Sequence, residues 1–279
     1  MSGFSPDWLA LREAADHRSR NRELASALAA RLQQREHVSV VDLGCGTGSN
    51  LRATSELLPD RQSWTLVDHD PALLAAAKDT LARWADGVED TGEVLTITKS
   101  HKVVTVRFRQ ADLAADLDAA LGSPADLVTA SALFDLVSAE YIRRFVGAIV
   151  SRRAAFYTVL TYNGIQRWTP HRPADNAMTA AFHRHQMTDK GFGTAAGPMA
   201  PSHLADEFRN AGYAVQEGDS PWRLTAPRDA GLIKELADGF AGAVRETGKV
   251  DAKTIDAWMK VVRTGAETGH TDTLALPGM

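Results

Sequence analysis

Acids set among glycines mark where this chain can do chemistry. In Val40-Val41-Asp42-Leu43-Gly44-Cys45-Gly46-Thr47-Gly48-Ser49-Asn50 an apolar, strand-like run breaks into a turn with glycine at every second position. A helix-compatible stretch, residues 51–58, follows. Glycine lets the backbone turn sharply and leaves room for a ligand against the main chain. The N–H groups of the next helix start can then hold polar ligand groups. Dinucleotide binders use G-x-G-x-x-G, with a pyrophosphate on the helix N-terminus. Here the third glycine falls one residue early, and the acid at the strand end does not suit a pyrophosphate.

Trp64-Thr65-Leu66-Val67 reads as a second strand, ending in Asp68 twenty residues after Gly48. An acid so placed in a βαβ unit can accept from two ribose hydroxyls. The competing role is a cap for the next helix. Asp70-Pro71 supplies that cap, with Asp70 at N-cap and Pro71 at N1, ahead of the helix-forming run Pro71-Ala72-Leu73-Leu74-Ala75-Ala76-Ala77. Asp68 is therefore left for a ligand. The alternating run Val103-Val104-Thr105-Val106-Arg107-Phe108 reads as a third core strand, ending in Gln110-Ala111-Asp112-Leu113. Asp112 either meets a ligand or caps a helix beginning near Ala114. A fourth strand in residues 125–137 brings Ser131, Phe134 and Asp135 to a strand end, where open parallel sheets bind ligands.

These four pieces, in this order, resemble the cofactor motifs of the class I S-adenosylmethionine (SAM) methyltransferases; the likeness spans residues 38–225. The resemblance implies a Rossmann-like, doubly wound α/β sheet of seven strands, mostly parallel, with the last antiparallel. It implies SAM as methyl donor and S-adenosylhomocysteine as product. Asp42, Gly44, Cys45, Gly46, Gly48 and Asn50 would surround the amino-acid end of SAM, and Asp68 would hold the ribose. His69 lies over the adenine edge or simply on the surface. Asp112 and the Leu113 N–H would meet the adenine, and Ser131 would stand near the sulfur. Phe134 and Asp135 would flank the methyl. The fourth strand is not followed by N/D-P-P-Y, which argues against adenine or glutamine N-methylation.

The remaining elements must position these groups. Residues 5–34 read as a helical N-terminal cap, whose Arg12 and Arg20 meet the methionine carboxylate or the acceptor, or belong to a solvated face. Val94-Leu95-Thr96-Ile97-Thr98 forms a hairpin with the third core strand. After a strand at residues 154–162, an insertion of about 163–200 reads as a lid over the acceptor. Lid loops carry function more often than core strands do. Its candidates are Tyr162 at its edge, Trp168, Gln186, Asp189 and Lys190, with His185 as general base. His183 and His185 are two apart and so point to different helix faces, which argues against a metal pair. Tyr213-Ala214-Val215-Gln216 and Trp222-Arg223-Leu224 are expected as the sixth and seventh strands. Residues 226–279 are expected to be helical, packing on the body or forming a homodimer surface.

Composition narrows the function. The chain has 279 residues, 44% of them hydrophobic, which suits one domain, residues 1–279. Net charge is −4 and the isoelectric point is near 6.1, so no global basic footprint for nucleic acid exists. The single cysteine, Cys45, excludes an internal disulfide and argues against a thiol nucleophile inside a glycine turn. No metal site, membrane span or signal peptide is expected, and a cytoplasmic location follows. The expected reaction is in-line methyl transfer to an O, N or S nucleophile of a small metabolite, with Asp135, Tyr162 and His185 around it. The rivals are a protein- or RNA-modifying methyltransferase, which needs an extended or basic groove, and a non-catalytic SAM-binding module.

Overall fold

A computed structural model describes residues 4–278. Helices α1 (Pro6–Ser19) and α2 (Arg22–Leu32) lead into β1 (Val38–Leu43), α3 (Ser49–Thr54), β2 (Arg61–Asp68) and α4 (Pro71–Trp84). The hairpin strands β3 (Gly87–Asp90) and β4 (Leu95–Lys99) precede β5 (Lys102–Gln110), α5 (Leu117–Leu121), β6 (Leu127–Ser131), α6 (Ala139–Arg152) and β7 (Ala155–Thr169). Then come α7 (Asp175–Gln186), α8 (Ala200–Asn210), β8 (Ala214–Asp219), β9 (Trp222–Thr225), α9 (Ala230–Thr247), α10 (Ala252–Met259) and β10 (Gly265–Leu276).

Among the described residues one sheet runs β3-β4-β5-β2-β1-β6-β7-β10-β8, with β9 also paired to β10. Strands β5, β2, β1, β6 and β7 are parallel. The strand order reverses at β1, which makes the carboxyl ends of β1 and β6 the natural ligand crevice. β1 is buried on both faces. Val38 and Val40 enter one apolar layer with the α2 leucines Leu24, Leu28 and Leu32, and Val41 and Leu43 enter the other. That split follows from side chains alternating across a strand.

The structure refines the sequence reading and in places corrects it. The sheet has ten strands rather than seven, because β3, β4 and an extra carboxyl-terminal pairing extend it. The last antiparallel core strand is β10, not Trp222-Arg223-Leu224; the expected sixth and seventh strands both pair with β10 instead. Residues 226–279 are thus two helices and a strand, not helices alone. The N-terminal cap is two helices, because Asn21 breaks it and accepts from Glu23 N and Leu24 N to start α2. The lid departs from the sheet only after Thr169, since β7 continues past Asn163-Gly164 through a register shift against β10.

β10 escaped notice because its pattern is polar. Asp272 is fully buried and accepts from the main-chain N–H groups of Asn21 and Leu160, both at 2.8 Å, and from the Ser220 hydroxyl. Buried polar groups are tolerated where partners satisfy them, and here the partners come from segments remote in sequence.

Candidate active site

The glycine turn needs its glycines. Gly44, Gly46 and Gly48 have φ of 63°, 53° and 76°, in the left-handed region that side chains disfavour. A Cβ on Gly46 would also lie 3.0 Å from Leu9 Cδ1, so α1 lies directly across the turn. His17 Nε2 meets Ser49 Oγ at 2.9 Å, and Glu13 pairs with Arg52, tying α1 to the helix that follows.

Asp68, at the end of β2, clamps this turn. Its Oδ2 accepts from Gly46 N at 2.9 Å and its Oδ1 from Asp70 N at 3.1 Å. A carboxylate has about four acceptor positions, so two hydroxyls can still be held. Asp70 caps α4 as expected, accepting from Ala72 N at 2.8 Å. His69 lies 3.3 Å from Asp68 Oδ1 with its side chain largely exposed.

Asp42 and Asn50 sit beneath the turn, not in it. Asn50 Nδ2 donates to Asp42 Oδ1 at 2.7 Å and to Thr129 Oγ1 at 3.1 Å. Asn50 Oδ1 accepts from Arg20 Nη2 at 2.9 Å, and Arg20 Nη1 donates to Thr54. Both are buried, and the Asn50 amide shared between Asp42 and Thr129 braces the turn from below. Burial pushes the Asp42 carboxyl up to about 7, against the pull of Asn50 and Arg20. Arg20 is correspondingly committed to this network. Burial also raises the Cys45 thiol, helped by Asp42 and Asp68, which leaves it a small filler and no nucleophile.

On the β5 side, Asp112 is exposed and accepts from Ala114 N at 2.9 Å, the turn-capping role. The Leu113 side chain is core. Ser131 closes β6, and the next residue, Ala132, has a φ of 52°. Such strain outside glycine collects at functional sites. Phe134 is fully buried against Phe145 and Phe156, at ring distances of 4.9 and 5.4 Å, so it is core and not acceptor wall.

Asp135 is 7% exposed. Burial raises its carboxyl to about 6, opposed by main-chain N–H groups including that of Tyr162 and by Arg12. Tyr162 is buried nearby, its phenol pushed up by burial and by Asp135. Its hydroxyl lies 3.0 Å from His183 Nε2. Arg12 binds Asp16 at 2.9 Å and lies over the Trp222 ring at 4.9 Å, and Trp222 Nε1 donates to the same aspartate. Asp135, Tyr162 and Arg12 therefore share one end of the sheet.

The remaining lid candidates fall elsewhere. His185 faces Glu246 of α9, with Nε2 to Oε2 at 3.0 Å, while His183 is the histidine that meets Tyr162. The spacing separated the two faces, and the structure turns His183 rather than His185 toward Tyr162. Trp168 is packed against Phe240 and Trp258 in the core. Asp189 accepts from Gly191 N and Gly193 N to shape its own loop, and Lys190 donates to Thr188. Gln186 packs beside Gly197. His270 was missed altogether: it stands opposite Tyr162 in the β7–β10 register, in a strand whose polar sequence carried no signal. Among the described residues no group of three or more His, Cys, Asp or Glu is arranged to hold a metal ion.

With the two added strands at one edge set aside, the sheet order is that of one known architecture. The fold is that of the class I methyltransferases. A cyclopropane-fatty-acyl-phospholipid synthase-like protein from Lactobacillus casei matches with a TM-score of 0.54 and 14% identity, over 98% of this chain and 95% of that one. The cyclopropane synthase MmaA2 from Mycobacterium tuberculosis matches with a TM-score of 0.53 and 12% identity, over 98% and 94%. A proposed methyltransferase of Bacillus halodurans matches with a TM-score of 0.50 and 11% identity, over 92% and 100%. At these identities the likeness is one of fold. No protein-family model matches the sequence, and no curated protein matches it. In this methyltransferase fold the glycine turn and Asp68 occupy adjoining strand ends at the switch point, with Asp135 and Tyr162 beside them. No described helix is long and apolar enough to cross a membrane.

Proposed function

We propose that this protein is a SAM-dependent methyltransferase acting on an O, N or S nucleophile of a small-molecule acceptor. One observation carries the reading: Asp68 is bound to the N–H of Gly46 in a turn whose three glycines all require positive φ, at the switch point of a methyltransferase-type sheet. These residues fit SAM. The positive φ at Gly44, Gly46 and Gly48 folds the main chain tightly at the end of β1, and Asp68 keeps acceptor capacity for a ribose. When bound, SAM supplies a methyl group already activated on a sulfonium, so alignment and exclusion of water carry much of the rate.

The chain's own residues do the rest. α1, through Leu9, covers the turn and excludes water. Asp135, with a carboxyl near 6, is ionised at neutral pH and accepts the acceptor's proton. Tyr162 orients the acceptor beside it. A small acceptor is favoured over RNA because the arginines on and just after α6 are locally engaged. Arg143 pairs with Glu207, Arg152 with Asp118, and Arg153 donates to the Gly278 carbonyl. The test is calorimetry with SAM, followed by mass spectrometry for S-adenosylhomocysteine after incubation with a metabolite extract. Absence of SAM binding, or preferred binding of a nicotinamide dinucleotide, overturns the reading.

A further inference from the structure

Tyr162 is approached from three separate segments. Its hydroxyl lies 3.0 Å from His183 Nε2 on α7, its ring centre lies 6.5 Å from that of His270 on β10, and Asp135 acts on it from beyond β6. The His183 nitrogen is shared, because it also lies 3.0 Å from the Gly164 carbonyl oxygen. A carbonyl only accepts, so this nitrogen carries the proton and donates. Tyr162 then has no call to donate to His183, and its own O–H is available for a ligand.

His270 supplies the opposite polarity. It is 6% exposed, and its Nδ1 is buried without a hydrogen-bond partner among the described residues. Burial first, then Arg12, holds the imidazole neutral, down to about 3, with the Ser220 main chain opposing weakly. Such a ring is poor as a base but sound as a hydrogen-bond acceptor. A buried polar atom without a partner calls for an explanation, and a bound acceptor is one that fits here.

We infer that Tyr162 and His270 form the acceptor subsite, that His183 positions Tyr162, and that the acceptor is a protic N–H or O–H nucleophile, not a carboxylate or thiolate. The inference rests on the methyltransferase reading and deepens it. Tyr162 donates to a polar atom of the acceptor beside the nucleophile, and His270 takes a hydrogen bond from a further N–H or O–H of the acceptor, so the attacking lone pair and the departing proton stay free. A carboxylate or thiolate has no proton to offer and would meet the ionised Asp135 as a like charge. In the reaction the acceptor's proton goes to the Asp135 carboxylate. The electron pair on that nitrogen or oxygen forms the bond to the methyl carbon, and sulfur keeps the pair of the bond that breaks.

Calorimetry with SAM on the full chain comes first, because failure there defeats the functional reading itself. Labelled SAM and a metabolite extract are then given to the wild type and to Tyr162→Phe, His270→Leu, His270→Asn and His183→Gln. The wild-type product should carry its new methyl on nitrogen or on a hydroxyl oxygen. Tyr162→Phe and His270→Leu should each lower kcat/KM about tenfold or more with SAM affinity unchanged. His270→Asn, which keeps an acceptor in place, should recover part of the loss. His183→Gln should raise KM more than it lowers kcat. A product methylated on a carboxylate or thiol, or wild-type rates in both Tyr162→Phe and His270→Leu, would overturn the inference.

Discussion

The glycine turn and the Tyr162 region of β7 lie toward one end of a single sheet, yet they are assembled differently. The turn is local: Gly44, Gly46, Gly48 and Asp68 lie within two adjacent βα units, and main-chain N–H groups do most of the holding. The proposed acceptor region draws Arg12 from α1, Asp135 from the β6 exit, His183 from α7, Trp222 from β9 and His270 from β10. A donor common to many enzymes can be gripped by main chain, whereas a particular acceptor needs side chains placed by the whole fold. Substitutions should therefore separate cleanly into those that remove SAM binding and those that spare it.

The largest effect is expected at the turn. Gly46→Val places a branched side chain at a φ of 53° and into contact with Leu9, so SAM binding should be lost in calorimetry. Circular dichroism distinguishes this from global unfolding. Asp68→Ala removes the carboxylate proposed to hold the ribose and should weaken SAM about 100-fold. Unchanged affinity would remove the ribose assignment and with it the sharpest contrast between the regions.

On the acceptor side, Asp135→Asn should lower turnover by about 10²–10⁴-fold with SAM affinity retained. Wild-type turnover should rise with pH through about 6, as Asp135 ionises, and this limb should vanish in the variant. A matching limb in Asp135→Asn would assign the proton to another group.

Asp42 sharpens the comparison through stability. Its carboxyl rises from 3.8 to about 7 on folding, so between these values the native state binds the proton that the unfolded state has lost. The associated stability is complete below pH 3.8 and is lost as pH rises through 7, a change on the order of a few kcal/mol. Asp42→Asn should flatten that part of the curve in urea unfolding. The smallest effect is expected at His185, whose surface pair with Glu246 is worth about 0.2–1 kcal/mol. His185→Ala should leave kcat within about twofold; a larger loss would return it to the site.

Much of the turn was legible in the sequence, because glycine spacing, an acid at a strand end and a Pro-containing helix cap are local constraints on φ and on hydrogen bonding. Local logic did not show that Asp42 and Asn50 bond to each other and to Thr129 beneath the turn. It misled at Phe134, where a residue beside a reacting end proved to be aromatic core. Spacing showed that His183 and His185 face apart but not which one faces inward.

What the chain by itself determined was the sheet's parallel half and the conformation of its glycine turn, since both follow from residue-by-residue backbone preference and burial period. What only the tertiary structure decided was the β7–β10 face that carries the proposed acceptor subsite. β10 has no apolar period, and its buried Asp272 and His270 acquire meaning only when Asn21, Leu160 and Tyr162 are folded against them. A polar residue's burial depends on partners far along the chain, and no local pattern encodes where those partners will be.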